Sequence, residues 1–216
     1  MTLCLKNLSI NKRSEEALIQ DFSISVKPGE VACMMGPSGC GKSTLLNVIA
    51  GHLNKDFSYD GEVWLNEQNI TKVPPHERGV GVLFQDDLLF PHLNVWQNLA
   101  FALPNDVKGN QRKQLALENL AKVNLTSLAN AFPEQISGGQ RARISLLRML
   151  LAQPKVALLD EPFSKLDQSL REQFRDWVYA QLIQANIPAL LVTHDRDDAP
   201  SNGTIYQWPK ENQHAG

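Results

Sequence analysis

Eight consecutive residues, Gly36-Pro37-Ser38-Gly39-Cys40-Gly41-Lys42-Ser43, have the types and the spacing to hold a polyphosphate. The glycines allow backbone angles that aim successive N–H groups inward, as an anion nest. A helix starting directly after the loop adds its partial positive charge. Lys42 can reach the β- and γ-phosphates of a nucleotide, and the Ser43 hydroxyl can ligate Mg²⁺. Thr44, next along the helix, joins the expected phosphate-binding set. An apolar run, Val31 to Met35, leads into the loop, so the context argues against a chance glycine-rich turn.

A second acidic chemistry lies far along the chain. In Val156-Ala157-Leu158-Leu159-Asp160-Glu161, two carboxylates end a continuous apolar run. Such a run fits a buried strand, and ligands of open parallel sheets bind at the carboxyl ends of strands. Asp160 is expected to hold Mg²⁺ through water, and Glu161 to polarise an attacking water. A solvated Asp-Glu pair would fit the same two residues taken alone; the phosphate loop in the same chain tips the balance. Between the two motifs, Ser137-Gly138-Gly139-Gln140 opens a helical pattern. Its serine and N–H groups could bind a second anion at a helix N-terminus, or serve only as a helix cap.

These residues need a scaffold. Leu3 to Ile10 and Phe22 to Val26 alternate apolar with polar, as half-exposed antiparallel strands do. Val31 to Met35, Gly61 to Leu65, Val80 to Phe84, Val156 to Leu159, Ala189 to Val192 and Gly203 to Trp208 read as further strands. Helical patterns cover Ser43 to Ala50, Val95 to Leu103, Lys108 to Val123, Leu125 to Ala131, Gly138 to Ala152 and Gln168 to Ala185. Strands alternating with helices imply an α/β fold with a mainly parallel core sheet. An antiparallel β side sheet and an inserted α-helical subdomain complete the expectation. Residues 1–86 and 154–208 would form the ATP-binding core with the side sheet, residues 87–153 the helical subdomain, and residues 209–216 a polar tail.

Bulk properties narrow the field. The chain has 216 residues, a net charge of -2 and 43% hydrophobic residues, an ordinary globular composition. That charge disfavours a broadly basic nucleic-acid surface. Cys4, Cys33 and Cys40 show no disulfide or zinc spacing, which suits a reducing compartment. The N-terminus does not read as a signal peptide, and no apolar run reaches the length of a membrane span.

The phosphate loop, Ile136-Ser137-Gly138-Gly139-Gln140 and the Asp160-Glu161 strand end, in this order, resemble the ATP-binding cassette proteins. The resemblance runs from about Leu3 to Trp208. It implies that Gln85 is the Q-loop glutamine, which senses Mg²⁺, that Ser164-Lys165-Leu166-Asp167 is the D-loop, and that His194 is the switch histidine. Lys42, Gln85, Glu161 and His194 are then the expected catalytic set, and Ser43, Gln85 and Asp160 the expected metal set. The residues around Pro74-Pro75-His76-Glu77-Arg78 and Leu83 to Leu93 look like bacterial importers, nearest to the short thiamine-type cassettes.

Such a likeness implies a transport-coupled ATPase using ATP and Mg²⁺. It would pair head to tail with a second copy of itself. Each ATP would lie between the phosphate loop of one copy and Ser137 to Gly139 of the other. The pair would work beneath membrane permease subunits, on the cytoplasmic face of the plasma membrane, served indirectly by a periplasmic or surface substrate-binding protein. No nucleic-acid partner is expected. An exporter or lipoprotein-release cassette is the alternative, and a soluble P-loop kinase a more distant one. Four departures stand out. Lys12 or a neighbour replaces the aromatic that stacks on adenine in the family, and Ile136 replaces leucine. Lys165 replaces a small D-loop residue, and Pro200 cuts short the helix after His194, with no C-terminal regulatory domain expected. Two further expectations are local. Lys42 and the helix start should favour the Cys40 thiolate, and Leu89 and Phe90, in the segment Asp87 to Trp96, should be exposed for a membrane partner.

Overall fold

The computed structural model describes residues 1–13, 17–164, 166, 168–201 and 203–208. Lys165 and Asp167 of the D-loop stretch, and the tail from residue 209, lie outside the described residues. The described chain falls into two compact units.

The first unit takes in Met1–Val82, Lys155–Glu161 and Tyr179 onward. Its antiparallel sheet is built from β1 (Leu3–Lys12), β2 (Ala17–Val26), β4 (Phe57–Leu65) and β5 (Gln68–Asn69), in the order β2-β1-β4-β5. Leu3, Leu5, Leu8 and Ile10 of β1 are buried. The spacing from Leu5 to Leu8 breaks the two-residue period, and a bulge restores it. Asn7 there adopts φ 48°, and the pairing slips against both neighbours. Gly61 lies against this bulge; a Cβ on it would sit 2.5 Å from the Asn7 carbonyl oxygen, so only glycine fits.

The core sheet has the order β6-β7-β8-β3-β9, with β3 (Val31–Met35), β6 (Val80–Leu83), β7 (Val156–Asp160), β8 (Ala189–Thr193) and β9 (Ile205–Gln207). The pairs β7·β8, β8·β3 and β3·β9 are parallel. Every residue of β8, and all but the last of β3 and β7, is buried, as continuous apolar strands demand. Helix α1 (Lys42–Ala50) ends at Gly51, which is left-handed at φ 84°. Buried Arg78 closes that end: its guanidinium donates to the carbonyls of Val48, Ile49, Thr71 and Val73 at 2.7–2.9 Å. A cation is favourable at a helix C-terminus, so Arg78 secures the far end of the helix that begins at the phosphate loop.

The second unit takes in Leu83–Pro154 and Pro162–Val178. It holds α2 (Val95–Ala102), α3 (Asn110–Lys122), α4 (Gly138–Leu151) and the first part of α5 (Gln168–Gln184). Val95 and Leu99 of α2, Leu120 of α3 and Ile144 and Leu147 of α4 share one apolar core. Asn94 and Gln97 cap α2 reciprocally. Arg112 on α3 gathers the carbonyls at the end of α2, including Ala100 and Leu103 at 2.7 Å. The helix expected over Leu125 to Ala131 is only a 3-10 turn, Thr126–Leu128. Asn124, left-handed at φ 58°, ends α3, and Pro133 follows within nine residues. The Ala129 and Ala131 carbonyls accept the Trp96 and Val95 N–H groups at 3.0 and 2.9 Å, so the segment's hydrogen bonds go to the start of α2 and not into a helix of its own.

Candidate active site

In the first unit the phosphate loop joins β3 to α1. Gly39 and Gly41 have φ 80° and 110°, in the left-handed region that favours glycine. Nothing lies within 4 Å of a Cβ placed on Gly39, so the requirement there is backbone angle and not space. Lys42 is buried, and its Nζ donates to the carbonyls of Gly36 and Pro37, both at 2.8 Å. These contacts fold the ammonium over the loop. Glu161 Oε1 lies 3.7 Å from the same nitrogen.

Strand β7 ends where α1 begins. Ser43 Oγ donates to Asp160 Oδ1 at 3.0 Å. Burial raises the Asp160 carboxyl above its ordinary range; the Ser43 hydrogen bond opposes this, Glu161 adds to it, and Lys42 opposes it. The next residue, Glu161, is left-handed at φ 44°, a costly conformation for a side chain with a Cβ. Its N–H donates to the Val192 carbonyl at 3.0 Å, which holds the turn against β8. Glu161 Oε1 also lies 3.1 Å from His194 Nδ1, on the loop that leaves β8. Lys42, Ser43, Asp160, Glu161 and His194 therefore converge from three strand ends. Asp160 and Ser43, with an exposed approach, offer hard oxygen donors of the kind Mg²⁺ takes alongside phosphate oxygens and water.

The His194 loop has support that the sequence reading missed. Thr193 Oγ1 donates to Asp198 Oδ2 at 2.8 Å and accepts the Asp195 N–H at 3.0 Å. Asp198 is 1% exposed, and its carbonyl accepts the Tyr179 hydroxyl. A charged residue in so short a 3-10 turn, Arg196–Asp198, gave no local signal of burial. The helix after His194, expected to be cut short at Pro200, is only this 3-10 turn.

In the second unit, Ser137 is the N-cap of α4. Its Oγ accepts the Gln140 N–H at 3.3 Å, and Gln140 Oε1 accepts the Ser137 N–H at 2.9 Å. A Cβ on Gly138 or Gly139 would meet its nearest neighbour at 3.8 Å, an ordinary contact. Packing inside this chain thus does not require glycine at either place. Gln85, exposed, lines a cavity of about 290 Å³ with Asp87, Gly138, Arg141, Ser145 and Phe174. Below it, Arg141 Nε pairs with Asp87 Oδ2 at 2.7 Å, and Ser145 Oγ donates to the Asp87 carbonyl at 2.8 Å. Asn98, fully buried, both donates to the Phe90 carbonyl and accepts the Phe90 N–H, at 3.1 and 2.8 Å. These residues shape the segment after Gln85, and sequence spacing did not reveal them because Ser145 and Asn98 act on backbone groups and Arg141 meets Asp87 across 54 residues.

The Cys40 thiol is raised, not lowered: burial outweighs Lys42 and the backbone N–H groups, and Glu161 adds to the rise. Leu89 is 7% exposed and belongs to the helical core; Leu88, left-handed at φ 46°, turns outward instead and is 54% exposed. Lys12 pairs across the strands with Phe57, so an aromatic stands opposite the position where β1 lacks one. The Cys40 finding sets a testable rate. Alkylation of Cys40 at neutral pH should be slower than that of a free cysteine, should accelerate as pH rises past 9, and should slow further with ATP. Mass spectrometry of the labelled peptide reads this, with Cys33, pushed up to about 12 by burial and Asp198, as an unreactive internal reference. Fast, ATP-independent labelling of Cys40 at neutral pH would contradict it.

A family model described as ABC transporter matches residues 19–164. The chain belongs to the ABC transporter family. It is an ATP-binding, ATP-hydrolysing cassette. Among its relatives is the uncharacterised ABC transporter ATP-binding protein YnjD of Escherichia coli, 46% identical over 209 residues, with 95% of this chain and 96% of that one covered. The thiamine import ATP-binding protein ThiQ of Haemophilus influenzae is 42% identical, covering 88% of this cassette and 86% of ThiQ. The Fe(3+) ions import protein FbpC of the same species is 41% identical over 91% of this cassette, which spans only 56% of FbpC. A solved dimeric ATP-binding cassette, in a post-hydrolysis state with ADP and Pi, superposes with a TM-score of 0.74 at 30% identity, over 91% of this chain and 90% of that one.

Proposed function

We propose that this cassette works as a head-to-tail pair that powers import of a solute through a membrane permease. The observation that carries the reading is the convergence of Lys42, Ser43, Asp160, Glu161 and His194, together with two glycines after Ser137 that this chain's own packing does not demand. The backbone nest and Lys42 bind the β- and γ-phosphates of ATP. Mg²⁺, held by Ser43 Oγ and reached by Asp160 through water, would offset phosphate charge when bound. Glu161 accepts a hydrogen bond from the attacking water and orients it for in-line attack. His194 holds the Glu161 carboxylate and faces the γ-phosphate. Gln85 reports the state of the metal site to the helical unit. From the second copy, Ser137 and the N–H groups of Gly138 and Gly139 close over the γ-phosphate, so the pair opens once that charge leaves.

The importer assignment rests on the named import subunits among the relatives. No described helix is long and apolar enough to cross a membrane. By likeness to the import subunits, the cassette would sit peripherally, on the cytoplasmic face, beneath permease subunits, with a substrate-binding protein delivering solute from the other side. Co-purification with a permease, and ATPase activity stimulated by a loaded binding protein in reconstituted vesicles, test this. Activity stimulated by nothing from the far side of the membrane would count against import.

A surface for the permease lies on the helical unit. Leu88 is exposed beside the core, and Phe101, 66% exposed, packs its ring edge-on to Phe90 with centroids 4.8 Å apart. Phe101→Asp and Leu88→Asp should leave the ATPase rate of the isolated cassette within about twofold, because surface changes away from buried features cost little stability. Transport by the assembled complex should fall at least tenfold. Leu89→Asp should instead unfold the helical unit, because it buries a charge. Unaltered transport with both surface variants would place the permease contact elsewhere.

A further inference from the structure

The phosphate loop rests on a tryptophan from the far end of the chain. Trp208 directly follows β9, and its N–H donates to the Met35 carbonyl at 2.6 Å, at the point where β3 becomes the loop. Its side chain is 7% exposed. A Cβ on Gly36 would lie 2.5 Å from Trp208 Cβ and 3.3 Å from Cγ. A Cβ on Gly41 would lie 3.2 Å from Trp208 Cζ2 and 3.0 Å from Leu18 Cδ1. The indole thus reaches from the first glycine of the loop to the last. Cys40 Sγ closes the same bed, 3.0 Å from the Gly36 Cβ position. Strand β9 is itself held in place. The Cys33 N–H donates to the Thr204 carbonyl at 2.8 Å, and Tyr206 packs edge-on against Phe22 of β2.

We propose that Trp208 is a positioning residue for the phosphate loop and sets how tightly the cassette binds ATP, not how fast it turns over. The proposal rests on ATP occupying this loop. The N–H nest exists only while Gly39 and Gly41 keep their left-handed angles, and Gly41 keeps its place against the indole and Leu18. A loop that lost the ring beneath it would spread over several conformations, of which only a fraction bind. Apparent affinity then falls by that fraction. The bound complex, once formed, still carries Lys42, Glu161 and His194 in place, so the rate at saturation is retained.

Trp208→Ala and Trp208→Phe separate this from a plain core role. A residue that only fills the core would lower the melting temperature and leave ATP binding unchanged. Trp208→Ala is expected to raise both the KM and the Kd for ATP about tenfold with kcat within twofold of the parent, and Trp208→Phe to restore both constants to within twofold. The parent should also show a tryptophan emission change on adding ATP that Trp208→Phe loses. An Ala variant that is folded by circular dichroism and binds ATP like the parent overturns the role of Trp208 while leaving the nucleotide assignment standing. A parent that binds no ATP would sink both. If the Ala variant does not fold, the emission comparison decides: an ATP-dependent change that persists in Trp208→Phe overturns the proposal, and its loss supports it.

Discussion

Glu161→Gln should bind ATP at least as tightly as the parent and hydrolyse it roughly a hundred- to ten-thousandfold more slowly, the range a positioned general base supplies. The amide keeps the length of the side chain and can still meet His194 Nδ1, now 3.1 Å from Glu161 Oε1. It can also occupy the left-handed backbone at residue 161 as well as the acid does. What it loses is the charge that attracts the water proton. It also loses the attraction to Lys42 Nζ, 3.7 Å away, which leaves that ammonium to its two loop carbonyls and to phosphate. Because the γ-phosphate remains, the variant should accumulate as an ATP-bound dimer. Gel filtration with ATP, beside a single-turnover assay, reads both effects. Turnover within a few-fold of the parent would remove Glu161 from the water-orienting role.

Ser137→Arg should abolish cooperative hydrolysis while leaving ATP binding to the single cassette within about threefold. The serine caps α4 through Gln140, so its loss costs on the order of 1 kcal/mol of local stability, too little to unfold the unit. The arginine, however, places a bulky cation at the helix N-terminus, where two glycines keep the approach open and a partner's γ-phosphate would dock. The phosphate loop belongs to the other compact unit and keeps all its own contacts. Mixing experiments sharpen the test: a Ser137→Arg copy paired with a Glu161→Gln copy should retain at most one intact composite site. Activity that survives in Ser137→Arg alone, and that rises linearly with protein concentration, would favour a site complete within one chain.

How much of this was legible without coordinates follows from the range of the interactions. The phosphate loop is a contiguous run whose function needs backbone angles that glycine alone reaches cheaply, so residue type and spacing suffice. The same holds for the caps: Asn94 with Gln97, and Ser137 with Gln140, are three residues apart and satisfy each other. Buried strands such as β3, β7 and β8 announce themselves as unbroken apolar runs. Tertiary structure decided whatever depends on neighbours distant in sequence. Ser43 and Asp160 meet across 117 residues, and His194 reaches Glu161 from another strand end. Leu88 and Leu89 are the same residue type, yet a positive φ at Leu88 accompanies one side chain turned outward and the other in the core. The sign of the Cys40 shift could not be read from Lys42 alone, because desolvation comes from the core against which the thiol packs once the sheets form, and it outweighs a charge two residues away. Phosphate chemistry is thus written in adjacent residues, whereas its support, from Arg78 at the end of α1 to Trp208 beneath the loop, comes from side chains that find their partners only when the sheets form.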